Sequence, residues 1–270
     1  MAGTDAKFVG SIPEKYDAYL GPFLFEPYAA DFVRRLVFPE SARVLELACG
    51  TGILTRRIAQ ALPKSGRLTA TDLNQPMLDH AQRKVGADPR LEWRVADALK
   101  LPFPDATFDR VVCQFGVMFF PDKLAGLREA CRVLKQGGEL SFSVWDSLAR
   151  NRYAEVADRV VASFFPSNPP VFFQVPFGYH DQEILRSVMQ QVGFAGIRLE
   201  EVALEGRSPT AMDAATGLVE GCPLILEIRE RGINDTRPIL EAVASKLASE
   251  FGDSPMRCQL GVVWIAGTRP

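Results

Sequence analysis

Short apolar runs closed by glycine or an acidic residue alternate, over the first half of the chain, with stretches whose apolar residues recur every three or four positions. Arg43–Leu47 (RVLEL) is followed at once by Gly50 and Gly52 and predicts a buried strand. Ile53, Leu54, Ile58, Ala61 and Leu62 then recur at helical spacing until Pro63 and Gly66 end the pattern. Further strands are predicted over Arg67–Thr71, Leu91–Ala96 and Phe108–Gln114. A helix is predicted over Gln75–Val85, with Pro76 in the first turn, where a missing N–H costs little. Asp122–Leu134 places Leu124, Leu127, Ala130, Cys131 and Leu134 on one helical face; Gly137–Gly138 breaks it before a strand over Glu139–Trp145. Strands alternating with helices of roughly ten residues imply βαβ units. Right-handed crossovers then put helices on both faces of a mostly parallel, doubly wound α/β sheet.

After Trp145 the rhythm fails. Residues 146–180 hold Phe164, Phe165, Phe172, Phe173, Phe177 and Tyr179 around a Pro169–Pro170 pair, and read as irregular. A helix over Asp181–Val192, a strand over Ile197–Leu204, a helix over Arg237–Glu250 and a strand over Gly261–Gly267 complete seven strands. Residues 208–223 and the first forty also read as irregular.

Composition removes some function classes. The 270 residues carry 31 Lys plus Arg against 33 Asp plus Glu, a net charge of -2, so bulk charge does not suit a phosphate backbone and no nucleic-acid partner is expected. No apolar run is long enough to span a bilayer, so no integral membrane association is expected. Met1 to Phe8 carries no secretory pattern. The five cysteines are scattered without a CxxC pair, which suits reduced thiols in the cytoplasm. His80 and His180 are the two histidines and have no ligand-like spacing, so no metal site is expected.

Candidate chemistry gathers at strand ends. Glu46, Asp72 and Asp97 are 26 and 25 residues apart, close to one βα unit each, so three adjacent strands would each present a carboxylate along one rim. Between the first two lies Ala48-Cys49-Gly50-Thr51-Gly52, a turn that lets a ligand approach the backbone at the amide end of the next helix. Asp72 follows Gly50 by 22 residues, the separation at which a strand-end carboxylate accepts from ribose hydroxyls; the alternative is a helix N-cap. Asp97 reads as a ligand contact or a turn residue. Thr55 stands where the dinucleotide fingerprint wants a small third residue, and Glu46 would repel a pyrophosphate. A nicotinamide cofactor is thereby disfavoured against a zwitterionic nucleoside.

These residues resemble a known family. VLELACGTGILT (44–55), TATDLNQPML (69–78), VADALKLPFPDATFDRVVCQFGVMFF (95–120) and LKQGGELSFSVW (134–145) are similar to the successive motifs of class I S-adenosylmethionine-dependent methyltransferases. The likeness is greatest to the ubiquinone/menaquinone-biosynthesis-like group, also called methyltransferase type 11. It implies a Rossmann-like seven-stranded sheet with a helical or aromatic cap and a final antiparallel strand. Residues 1–40 would form a lid, 41–145 the cofactor-binding core and 146–180 a cap insertion. Residues 181–270 would complete the sheet, with a second substrate-side insertion at 208–223. By the same resemblance Glu46, Ala48, Gly50 and Gly52 surround the methionine part of S-adenosylmethionine, and Asp72 holds the ribose. Leu73 and Met77 flank the adenine, Asp97 accepts from its amino group with Ala98 alongside, and Gln114 and Phe115 face the sulfonium. Ala48 departs from the glycine usual at its position. IPEKYDAYLGPFLFEPYA (12–29) is similar to the group's lid, with Tyr16 closing over the cofactor or simply packing.

The implied activity is methyl transfer to a small apolar or aromatic metabolite by in-line displacement, which needs alignment and exclusion of water more than a dedicated base. His180 is the candidate base, against a capping or surface role. The Phe-rich stretch 164–179 is either the core of the cap or a substrate wall. A nicotinamide-dependent oxidoreductase and a non-catalytic cofactor-binding protein are the competing functions.

Overall fold

A computed structural model describes residues 6–270; residues 1–5 of the expected lid lie outside the described residues. The chain opens with α1 (Ile12–Lys15), a wide π-type helix (Tyr16–Phe25) and α2 (Glu26–Arg34). The alternating half follows as β1 (Arg43–Glu46), α3 (Ile53–Ala61), β2 (Arg67–Asp72), α4 (Gln75–Val85), β3 (Leu91–Val95), β4 (Phe108–Gln114), α5 (Lys123–Val133) and β5 (Leu134–Trp145). The remainder is α6 (Arg152–Ser163), α7 (Gln174–Phe177), α8 (Gln182–Val192), β6 (Ala195–Ser208), α9 (Ala211–Glu220), α10 (Leu224–Glu230), α11 (Arg237–Phe251) and β7 (Met256–Thr268).

The seven strands form one sheet in the order β3-β2-β1-β4-β5-β7-β6. Strands β1 to β5 pair in parallel, and β7 runs antiparallel to both of its neighbours. Because β1 lies between β2 and β4, the winding reverses there, which opens a crevice at the carboxyl ends of these strands. β1 and β4 are buried on both faces over Val44–Glu46 and Val111–Cys113, where their apolar residues run consecutively, whereas β3 at the edge is half-exposed.

Three segments differ from the sequence reading. Strand β5 starts directly after α5, with Gly137 at φ +75 and a register shift against β4; the glycines make an irregularity inside the strand rather than a break before it. Strands β6 and β7 are longer than predicted because they pair with each other from Ala195↔Thr268 to Ser208↔Met256. The stretches read as irregular are largely helical: residues 146–180 contain α6 and α7, and residues 208–223 contain α9. Buried Asn151 fixes the start of α6, accepting from the Gly261 N–H at 3.0 Å and donating to the Gly261 carbonyl at 3.0 Å.

The amino-terminal helices lie over the rim of the sheet and are fastened on several sides. Glu26 pairs with Arg56 and Arg57 of α3, Lys15 pairs with Glu220 of α9, and Asp17 pairs with Lys84 of α4. Tyr28 sends its hydroxyl to the carbonyls of Val202 and Leu260 at 3.0 and 2.8 Å. This fastening sets the position of Tyr16.

Candidate active site

The turn after β1 is built by hydrogen bonds from the neighbouring strands. Leu47 N–H donates to the Val112 carbonyl and Cys49 N–H to the Thr71 carbonyl, both at 2.9 Å, so the turn continues the sheet on two sides before it curls away. Ala48, Gly50 and Gly52 then take φ values of +51, +57 and +81. For alanine this left-handed conformation costs about 1–2 kcal/mol. The turn is held from β2: Asp72 accepts from the Gly50 N–H at 2.9 Å through one oxygen and from the Asn74 N–H at 2.8 Å through the other. Burial raises the Asp72 carboxyl above its usual range, and the bonds from Asn74 and Gly50 oppose that shift.

A cleft of about 110 Å³ opens at these strand ends, the place where open α/β sheets bind their ligands. Ten of the predicted cofactor residues line it: Tyr16, Ala48, Gly50, Asp72, Leu73, Met77, Asp97, Ala98, Gln114 and Phe115. Asp97 also shapes its own turn, accepting from the Leu99 N–H at 2.9 Å. Gln114 donates to the Phe25 carbonyl at 3.3 Å.

Glu46 lies deeper, in a recess of about 30 Å³ that shares Tyr16, Ala48, Gly50, Gln114 and Phe115 with the cleft. It is 1% exposed, and its Oε2 has no hydrogen-bond partner within the protein. Burial pushes its carboxyl up to about 8; the Thr55 hydroxyl pulls the other way, and the Asp72 charge adds to the rise. A buried carboxyl oxygen without a partner is costly. A cation donating into the recess would satisfy it.

Gly52 faces away from the cleft. A Cβ there would lie 2.9 Å from Val85 Cγ2 and 3.1 Å from Ala81 Cβ, so Gly52 lets the turn and α4 approach each other, and it is absent from the lining of the cleft and of the recess. His180 is placed elsewhere as well. It precedes α8, half-exposed, with Nδ1 3.9 Å from Asp146, and is absent from the lining of the cleft and of the recess. The helix is capped by Asp181, not His180.

Sequence reasoning missed several lining residues. Phe8, Asn74, Gly116 and Phe119 belong to the cleft. Asn74 could have been found from its place two residues after Asp72; its Nδ2 reaches back to that carboxylate at 3.3 Å and to the Ala6 carbonyl at 3.0 Å. Gly116 packs against the glycine turn, where a Cβ would lie 2.5 Å from Ala48 Cβ and 2.6 Å from Cys113 Sγ.

A second cavity, of about 60 Å³, adjoins the cleft and shares Phe8, Tyr16, Phe115 and Phe119 with it. Its other walls include Trp145, Tyr153, Phe172, Phe173 and Phe177. Phe115 is held at φ +57 with its ring stacked on Trp145 at 4.1 Å between centroids. Tyr16 stacks on Phe25 at 4.5 Å, and burial raises its phenol far above the usual value, so it stays protonated. The phenol of Tyr153 and the thiol of Cys222, the latter pushed up to about 12, are likewise neutral.

The profile of the family described as "Methyltransferase domain" matches residues 44–138. A ubiquinone/menaquinone biosynthesis C-methyltransferase, UbiE, of Chromobacterium violaceum is 36% identical over 171 residues, covering 57% of this chain and 68% of the relative. The chain belongs to the UbiE-like class I S-adenosylmethionine-dependent methyltransferases. A second UbiE-like relative, a demethylmenaquinone methyltransferase of Lysinibacillus sphaericus, is 35% identical over 145 residues, covering 51% of this chain. That match spans 62% of the relative, less than two thirds of its length. Among solved structures, phosphoethanolamine N-methyltransferase 2 of Haemonchus contortus, in complex with S-adenosyl-L-methionine, matches with a TM-score of 0.61. The alignment covers 96% of this chain and 56% of that one; at 18% identity the likeness is one of fold. The family's cofactor is S-adenosylmethionine, and the residues present suit it: a buried acceptor at Glu46 for an ammonium, a strand-end carboxylate at Asp72 for hydroxyls, and an apolar slot at Leu73 and Met77 for a ring. Membership of this family leaves the nicotinamide reading without support. No helix among the described residues is long and apolar enough to cross a membrane.

Proposed function

We propose that the protein transfers a methyl group from S-adenosylmethionine to a small apolar or aromatic acceptor held in the aromatic cavity. The observation that carries this reading is the shared wall: Phe8, Tyr16, Phe115 and Phe119 border both the strand-end cleft and the apolar cavity. An acceptor stacked in the cavity would meet the cleft at these four rings. The names of the relatives make a quinol ring carbon the first acceptor to try.

Bound S-adenosylmethionine supplies an electrophilic methyl on a sulfonium. Glu46 would bind the ammonium end and Asp72 the ribose hydroxyls. Leu73 and Met77 would hold the adenine between them, and Asp97 would accept from its amino group beside Ala98. Gln114, the last residue of β4, lines the cleft, and Phe115, next after it, lines both cleft and aromatic cavity; the two would orient the reacting partners. Tyr16, protonated and packed on Phe25, closes the space between them and excludes water. Aligning two reactants in this way supplies about 7–11 kcal/mol.

The test is transfer of labelled methyl from S-adenosylmethionine to a panel that includes 1,4-naphthoquinol, 1,4-benzoquinol and phosphoethanolamine. Incorporation into the quinols and not into phosphoethanolamine is the expected result. Cofactor binding without transfer to any acceptor would favour the non-catalytic reading.

A further inference from the structure

The aromatic cavity has one wall with little regular structure behind it. Phe172 and Phe173 end the segment 164–173 between α6 and α7, and both line the cavity. Phe172 faces Phe119 at 6.3 Å and Phe173 faces Phe177 at 6.1 Å, so the segment's position determines the spacing of the rings. Phe165, Phe172 and Phe173 are buried at its two ends, but no ladder pins the 168–171 backbone between them, since Pro169 and Pro170 have no N–H to donate and Val171 is 48% exposed.

Two residues one turn apart hold it instead. Glu227, 7% exposed on α10, accepts from the Val171 N–H at 2.9 Å. Arg231, just past the end of α10, donates to the carbonyls of Asn168 at 2.8 Å and Pro169 at 3.2 Å. The two side chains pair at 3.3 Å, and Arg231 also donates to the Glu227 carbonyl at 2.8 Å. Residues 168–171 are thus gripped on both carbonyl and amide groups by one charge pair, Glu227 buried and Arg231 partly exposed, with Phe172 and Phe173 next in line. Charge-assisted bonds of this kind are stronger than neutral ones and fix direction as well as distance.

We propose that Glu227 and Arg231 are positioning residues for the methyl acceptor: through the 168–171 backbone they set the Phe172–Phe173 wall of the acceptor cavity, without touching the acceptor or the cofactor. This rests on the reading that the aromatic cavity holds the acceptor. The pair and the cofactor cleft share no lining residue, so the two functions should separate.

The experiment compares wild type with Glu227→Ala, Arg231→Met and the conservative Glu227→Gln. Hydrogen exchange across 168–177 should quicken about tenfold or more in the first two. It should rise less in Glu227→Gln, which keeps an oxygen for the Val171 N–H. Affinity for S-adenosylmethionine should stay within about twofold, while KM for 1,4-naphthoquinol rises about fivefold or more with kcat within about twofold. Unchanged exchange over 168–177 would overturn the proposal. So would acceleration spread equally over β4 and β5, which would make the pair a general stability element, or a fall in kcat at constant KM. If wild type binds the cofactor but does not methylate 1,4-naphthoquinol, the acceptor reading fails for that probe, and the exchange comparison still decides whether the pair holds the wall.

Discussion

Replacing Glu46 by glutamine isolates the electrostatics of the cofactor end. The wild-type carboxyl is 1% exposed, has an oxygen without a partner, and titrates at about 8. Near pH 7 about nine-tenths of the molecules therefore carry the proton. An ammonium bound in the recess would favour the ionised form, so binding should expel close to one proton. Titration calorimetry with S-adenosylmethionine near pH 7, in buffers of different ionisation enthalpy, reads this directly. The apparent enthalpy should depend on the buffer with a slope near one proton released for wild type and near zero for Glu46→Gln. The same shift acts on stability. The folded state holds an extra proton between the unfolded value of 4.5 and about 8, so the unliganded wild type loses stability as pH rises through that window. Over that window the shift corresponds to about 5 kcal/mol. Glu46→Gln should lack this decline. Identical buffer dependence in the two proteins would refute the placement of a cation beside Glu46.

Asp72→Asn puts an amide donor against the N–H of either Gly50 or Asn74 and removes a charged acceptor from the cleft. A loss of about 1.5–3 kcal/mol should weaken S-adenosylmethionine binding about tenfold to a hundredfold, measured by the same calorimetry. Gly116→Ala forces a methyl against Ala48 and Cys113, neither of which has a flexible end to move. It should cost about 1–3 kcal/mol and lower the melting temperature by about 2–10 °C in a thermal scan, together with cofactor affinity. His180→Ala should leave kcat and both KM values within about twofold, because the side chain lies outside the cleft; a large loss of kcat would return it to the mechanism.

The parallel half of the fold was readable because each element there serves one boundary. Strands β1 and β4 each carry a short apolar run (Val44–Leu45 and Val111–Cys113), and α3 to α5 each bury a single face, so length and period identify them. The amino terminus hid its helices because Gly21 and Pro22 sit inside the wide helix over Tyr16–Phe25, where both residues ordinarily signal a turn. In the cap, Phe172, Phe173 and Phe177 line a cavity rather than one face, so they show no period. Two missed helices did leave signals. In α6, Tyr153, Val156, Ala157 and Val161 recur at helical spacing, and Thr210 caps α9 by accepting from the Asp213 N–H at 3.0 Å. At the site, strand-end acids and glycines were legible because their spacing is set by the βα unit. The ring wall of the second cavity was not, because it is assembled from four separated parts of the chain. Gly52 misled for a local reason: it shares the glycine turn with Gly50, yet the turn points it at α4.

The most direct measurement is a crystal structure of the protein with S-adenosylhomocysteine. It should show the ribose hydroxyls on Asp72, the adenine between Leu73 and Met77 and near Asp97, and the amino group donating to Glu46, with the sulfur directed toward the wall shared by Tyr16 and Phe115. Density for the nucleoside in any other crevice, or none at saturating concentration while the cleft stands open, would contradict the account.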